Sequence, residues 1–154
     1  MEKIASFTID HDVLKKGLYI SRVDGDAVTY DLRMKLPNAG DFLSTGTAHT
    51  IEHLLATFLR NSEIRDQVIY VGPMGCRTGF YVILEGDFQS SEVVPLMKEM
   101  FEFISHFEGE IPGAAPEQCG NYLDQNLEMA RYLAKRYLAQ MSDNPPEERL
   151  NYPE

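Results

Sequence analysis

Apolar and polar residues alternate from Val28 to Leu36. Val28, Tyr30, Leu32, Met34 and Leu36 occupy one set of positions, and Thr29, Asp31, Arg33 and Lys35 the other. Successive side chains of a strand point to opposite faces, so this period of two predicts a sheet with one face in the core and one wet. Shorter runs predict further strands at Lys3–Ile9, Leu18–Val23, Gln67–Val71 and Thr78–Glu85. Asp24-Gly25-Asp26, Pro37-Asn38-Ala39-Gly40 and Gly86-Asp87 mark chain reversals or strand ends.

Elsewhere the period lengthens. Ile51, Leu54, Leu55, Phe58 and Leu59 recur at helical spacing within His49–Asn61, a run without Pro or Gly, preceded by Ser44, Thr45 and Thr47 as candidate N-caps. Val94, Met97, Phe101 and Ile104 predict a second helix over Glu92–Phe107, capped by Ser90 or Ser91, with Pro95 in its first turn. Leu123, Leu127, Ala130, Leu133 and Leu138 predict a third from about Glu117 to Met141. Gly109–Pro116 reads as a loop, and the tail after Asp143, with Pro145-Pro146, as a loosely held end. The sum is an α+β fold, an antiparallel sheet with helices packed on one side, in one domain over residues 1–154.

Charge narrows the function. Lys+Arg 14 against Asp+Glu 24 gives a net charge of -10, which argues against gripping a phosphate backbone or an anionic membrane. No apolar run reaches membrane-spanning length, and the N-terminus carries no signal-peptide core, so a cytoplasmic location is expected. In that reducing setting the two cysteines are expected as free thiols or ligands rather than a disulfide.

The chemistry concentrates at His49-Thr50-Ile51-Glu52-His53. Residues four apart on a helix share a face, so His49 and His53 are placed to offer one cation a nitrogen each, with Glu52 flanking them. This is the inverted zinc-protease order H-x-x-E-H. Cys119 would complete a set suited to Zn²⁺ or Fe²⁺, leaving a position open for catalysis. Cys76 lies among glycines 75 and 79 at the mouth of a strand, next to Arg77, whose charge would favour its thiolate. Three readings are open at this point. One is a metalloenzyme using both cysteines. Another is a small metallopeptidase, with Glu52 activating water and Glu128 as third ligand. The last is a non-catalytic binding or structural protein with an acidic surface.

Several stretches together resemble the S-ribosylhomocysteine lyase (LuxS) family over nearly the whole chain. They are Ser6-Phe7 with Asp10-His11, Asp31-Leu32-Arg33 with Pro37-Asn38, and His49–His53 with Arg60-Asn61; Gly72–Tyr81 and Gln118-Cys119-Gly120 complete the set. The resemblance implies a LuxS/inverted-zincin-like fold and a homodimer with active sites at the subunit interface. It implies one divalent metal per subunit, Fe²⁺ with Zn²⁺ or Co²⁺ able to substitute, held by His49, His53 and Cys119. The implied activity is cleavage of S-ribosylhomocysteine to homocysteine and 4,5-dihydroxy-2,3-pentanedione, the autoinducer-2 precursor, with quorum-sensing signalling or methyl-cycle recycling as its physiological role. Cys76 and Glu52 would be the acid/base pair. Ser6, His11 and Arg33 would contact the ribose, and Arg60 the homocysteine end. The position two before Gly72, usually acidic in the family, is Tyr70 here.

Overall fold

The structure, a computed structural model, describes residues 1–141 and 150–153. Four strands, β1 (Gly17–Asp24), β2 (Ala27–Arg33), β3 (Val68–Pro73) and β4 (Gly79–Glu85), form an antiparallel sheet in the order β1-β2-β4-β3. Three helices, α1 (Thr45–Arg60), α2 (Ser90–His106) and α3 (Leu127–Gln140), cover one face of it. The core between the layers joins Tyr30, Leu32, Phe80, Val82 and Leu84 of the sheet to Ile51, Leu54, Leu55 and Leu59 of α1. Met97, Phe101 and Ile104 of α2, with Ala130, Ala134 and Tyr137 of α3, close it. Full burial of one such large apolar side chain stabilises the fold by about 1.5–3 kcal/mol.

The alternation on β2 holds for Tyr30 and Leu32, but the face expected to be wet is not. Asp31 and Arg33 are 0% and 2% exposed, opposite Tyr19 and Gly17 of β1 and opposite Tyr81 and Gly79 of β4. Burial is tolerated because the two charges pair with each other, Arg33 Nη2 to Asp31 Oδ2 at 2.5 Å and Nε to Oδ1 at 3.1 Å. The strand stops at Arg33, and Leu36, expected inward, is exposed. Gly79 matters here: a Cβ at that position would run into the Leu32 carbonyl, so only glycine lets β4 lie this close to β2.

Other boundaries differ from the sequence reading. Lys3–Ile9 is not a strand; Ala5–Phe7 forms a 3₁₀ turn with none of its residues buried. Its apolar residues are too few and too exposed to join a sheet edge, with Ile4 and Phe7 at 57% and 71% exposure. Ser44 caps α1 as expected, accepting from the Thr47 amide. In α2 the cap is Gln89, not Ser90 or Ser91, in a reciprocal capping box with Glu92. The helix therefore starts earlier than expected, and Pro95 falls beyond its first turn. Its side chain is exposed. α3 begins at Leu127, capped by the Asn126 side chain on the Met129 amide. Residues 117–126 are turns instead, and Leu123, expected inward, is 79% exposed. Pro145-Pro146 lies outside the described residues. Beyond it the chain is anchored: Leu150 sits in the core, and Tyr152 stacks on Tyr19 with ring centroids 5.2 Å apart.

Candidate active site

α1 buries Ile51, Leu54, Leu55 and Leu59 and leaves His49, Glu52 and His53 half-buried on the adjoining edge. The stretch between α2 and α3 folds over that edge. Thr50 Oγ1 donates to Gln125 Oε1 at 2.7 Å and accepts from the Asn126 amide at 2.9 Å. Gly46 permits the approach, because a Cβ there would lie 3.1 Å from Asp124 Oδ1. The Cys119 amide is held in a turn by the Ala115 carbonyl, 3.0 Å away. Its Sγ comes to 3.3 Å from His49 Nε2. Ligand atoms of His49, His53 and Cys119 all lie within 4.8 Å of one another.

The donor set suits a cation. Each Nδ1 meets a backbone carbonyl, which can only accept: Asp124 O at 2.8 Å from His49 and Pro112 O at 2.7 Å from His53. In the neutral ring each Nδ1 therefore carries the proton and donates, which leaves both Nε2 lone pairs bare, as metal-binding histidines require. With that tautomer the Gln125 amide nitrogen, 3.2 Å from His49 Nδ1, is a neighbour rather than a bonding partner. A tetrahedral centre with bonds of about 2.3 Å to sulfur and 2.0–2.1 Å to nitrogen places those atoms roughly 3.5 Å apart, close to the His49–Cys119 separation. Glu52 makes no hydrogen bond or ion pair with another of the described residues. Glu128, the alternative third ligand, is exposed in the first turn of α3 and is not part of this group.

Cys76 sits exposed in the turn between β3 and β4. Arg77 takes a left-handed backbone conformation, φ 60°, and its guanidinium lies over the Phe42 ring at 4.5 Å. The cation directed at the sulfur is instead Arg33, whose Nη1 donates to Thr78 Oγ1 at 2.8 Å and lies 3.9 Å from Cys76 Sγ. Thr78 Oγ1 is in turn 3.0 Å from that sulfur. Burial by itself would push the Arg33 pKa down, but the hydrogen bonds and charge of Asp31, helped by Cys76 and Tyr81, raise it instead. Arg33 thus carries a fixed positive charge.

A family model described as S-ribosylhomocysteinase (LuxS) matches residues 4–148. The chain belongs to the S-ribosylhomocysteinase (LuxS) family. It is 56% identical over 159 residues to the S-ribosylhomocysteine lyase of Clostridium acetobutylicum, covering 100% of both chains. It is 51% identical to that of Porphyromonas gingivalis, again over 100% of both. With that of Borreliella burgdorferi it shares 47% identity, over 99% of this chain and 100% of the relative. These relatives are lyases, which sets the metallopeptidase reading aside, as does the choice of Cys119 over Glu128.

Membership in the LuxS family directs attention to the remaining residues named from sequence. Ser6 is exposed on the N-terminal segment, and His11 Nδ1 contacts the Ile9 carbonyl at 2.9 Å. Arg60 reaches the edge strand β3, where Nη1 and Nη2 donate to the carbonyls of Val68 and Ile69 at 3.3 and 3.4 Å. Tyr70 folds its ring over Gly72, where a Cβ would collide with the phenol. The structure therefore brings together the two histidines and Cys119, and separately Arg33 and Cys76. Among the described residues, no hydrogen bond, ion pair or ring contact joins Ser6, His11, Arg60 or Cys76 to the histidine–cysteine group.

Sequence reasoning missed Asp31, Thr78 and Tyr152, and the carbonyls of Pro112 and Asp124. Asp31 carried a signal, since residues two apart on a strand share a face; the carbonyls carried none.

Proposed function

We propose that this chain is a metal-dependent carbon–sulfur lyase, with residues 1–154 as one catalytic domain. It cleaves S-ribosylhomocysteine to homocysteine and 4,5-dihydroxy-2,3-pentanedione. One observation carries the reading: in a chain of this family, two imidazoles with bare Nε2 lone pairs and one thiol converge on the edge of α1, beside Glu52.

The chemistry explains why such a set is needed. A thioether at C5 of a sugar leaves readily only if a carbonyl at C3 acidifies the C4 hydrogen. The ring-opened sugar has its carbonyl at C1, so it must move to C2 and then to C3 through enediolates. Each move takes a proton from carbon and returns one to its neighbour. His49, His53 and Cys119 would hold Fe²⁺, or Zn²⁺ or Co²⁺ in its place, and the bound ion would supply Lewis acidity to the substrate, worth several kcal/mol. Cys76 as thiolate and Glu52 as carboxylate take up and return the carbon-bound protons, each step worth roughly 10²–10⁴-fold. Removal of the C4 proton then expels the homocysteine thiolate from C5. Arg33 Nη1 places a positive charge 3.9 Å from the Cys76 sulfur.

Ser6, His11 and Arg33 are assigned to the ribose and Arg60 to the homocysteine end. We place the working site between two subunits of a homodimer. The exposed Ile4, Phe7 and Val13 favour this, since they leave the segment bearing Ser6 and His11 without a core of its own. A cytoplasmic location fits two free cysteines, and among the described residues no helix is long and apolar enough to cross a membrane. Production of an autoinducer-2 precursor for quorum sensing, and return of homocysteine to the methyl cycle, follow from the products.

Anaerobic incubation of the metal-loaded protein with S-ribosylhomocysteine, followed by titration of released thiol, tests the reading. One thiol released per substrate consumed is expected. Substrate recovered intact overturns it.

A further inference from the structure

The C-terminal segment reaches the reactive turn through a chain of polar contacts. Tyr152 Oη donates to Asp31 Oδ2 at 2.7 Å, the same oxygen that pairs with Arg33 Nη2 at 2.5 Å. The other arm of that guanidinium, Nη1, binds Thr78 and faces Cys76 Sγ. Leu150 is buried on the helix side of the sheet, while Tyr152 lies against Tyr19 beside Asp31, so the tail rounds the β1 edge to deliver its hydroxyl. Asp31 and Arg33 are sealed from water, where a hydrogen bond or a charge counts for more than at a surface.

We propose that Tyr152 is a positioning residue for the lyase reaction: by occupying Asp31, it sets how much of the Arg33 charge is left for the Cys76 sulfur. The proposal rests on the assignment of Cys76 as a proton-carrying thiolate.

Asp31 is the counter-charge of Arg33. A hydroxyl donated to its Oδ2 draws off part of the carboxylate's charge, which leaves the guanidinium more strongly positive towards the sulfur. Without the hydroxyl, Asp31 holds Arg33 more tightly and the field at Cys76 turns less favourable to a thiolate. Tyr152 is suited to be a permanent donor, because burial, followed by the charge of Asp31, pushes its pKa well up and keeps its proton in place. The other groups facing this turn do not duplicate it. Tyr81 is raised by burial and then by Asp31 and stays neutral, and Arg77 is committed to Phe42. Tyr19 gives its hydroxyl to the Lys15 carbonyl at 2.9 Å.

Tyr152→Phe removes the hydroxyl and keeps the ring on Tyr19. In the metal-loaded protein, the pH dependence of Cys76 alkylation by iodoacetamide, read on the Cys76 peptide by mass spectrometry, should move to higher pH. In the same variant kcat should fall roughly three- to tenfold with KM little changed. Tyr152→Ala should shift the alkylation profile in the same direction. Unchanged profiles in both variants overturn the proposal, even if melting temperature or kcat falls, because that pattern belongs to a tail that only stabilises the fold. Turnover by Cys76→Ala is the separate check on the underlying assignment: activity there refutes the role of Cys76, whereas the alkylation comparison reads the link from Tyr152 to the sulfur without using turnover.

Discussion

The sulfur of Cys119 lies 3.3 Å from Nε2 of His49, although the two are 70 positions apart in the chain. Neither residue reaches the other by its own secondary structure. His49 is placed by α1, and Cys119 by a turn of irregular backbone that Thr50, Gln125 and Asn126 fasten to the same helix. The centre is therefore as firm as that fastening and the carbonyls behind the two imidazoles.

Gly113 is the most sensitive of those supports. Its φ is +75°, and a Cβ there would come to 3.1 Å from His53 Nδ1, beside the Pro112 carbonyl that orients the ring. Gly113→Ala should weaken metal binding by roughly 10–100-fold, the usual effect of disturbing such a support. Competition with a chromophoric chelator measures this, and the far-UV circular dichroism should stay at its native value.

Cys76→Ala should abolish turnover while the protein keeps its full complement of metal. Cys76 belongs to the Arg33–Thr78 cluster and not to the group that would hold the cation. Metal analysis and the thiol-release assay on one preparation check both halves.

Asp31→Ala strands the Arg33 charge in a site that is 2% exposed. Removing one partner of a buried pair costs about 3–5 kcal/mol. The loss should appear as a lower midpoint in urea at unchanged slope. Asp31→Asn keeps one acceptor oxygen and should lose less.

Alkali should unfold the protein through its tyrosines. Burial foremost raises the pKa values of Tyr19, Tyr30, Tyr81, Tyr137 and Tyr152, and for all but Tyr30 the Asp31 charge adds to it. A raised value means the neutral phenol is favoured in the fold, so this contribution is complete below about pH 10, the ordinary tyrosine value. It is lost as the pH rises above that. Phenolate absorbance from these rings should therefore appear together with the loss of circular dichroism rather than ahead of it.

Much of this was legible in the sequence because it is periodic. The spacing of Ile51, Leu54, Leu55 and Leu59 placed α1, and with it the shared edge of His49 and His53. The alternation through Tyr30 and Leu32 placed β2. What periodicity cannot register is tertiary. Asp31 and Arg33 read as a wet face because each is charged, and only their mutual pairing makes burial tolerable. Residues 117–126 read as the start of α3 because their composition is compatible with helix, yet they are drawn into turns by the fastening to Thr50. Tyr152 read as part of a loose end because the prolines before it say nothing of where the chain returns. Cys119 was identifiable as a candidate ligand by residue type, whereas the two carbonyls behind the imidazoles belong to backbone that no side-chain pattern reveals.

X-ray absorption at the metal edge of the loaded protein tests the central arrangement most directly. One sulfur at about 2.3 Å and two imidazole nitrogens at about 2.0–2.1 Å are expected around the metal of a zinc-substituted sample, with the sulfur lost in Cys119→Ala. Coordination without sulfur in the unaltered protein would contradict that arrangement.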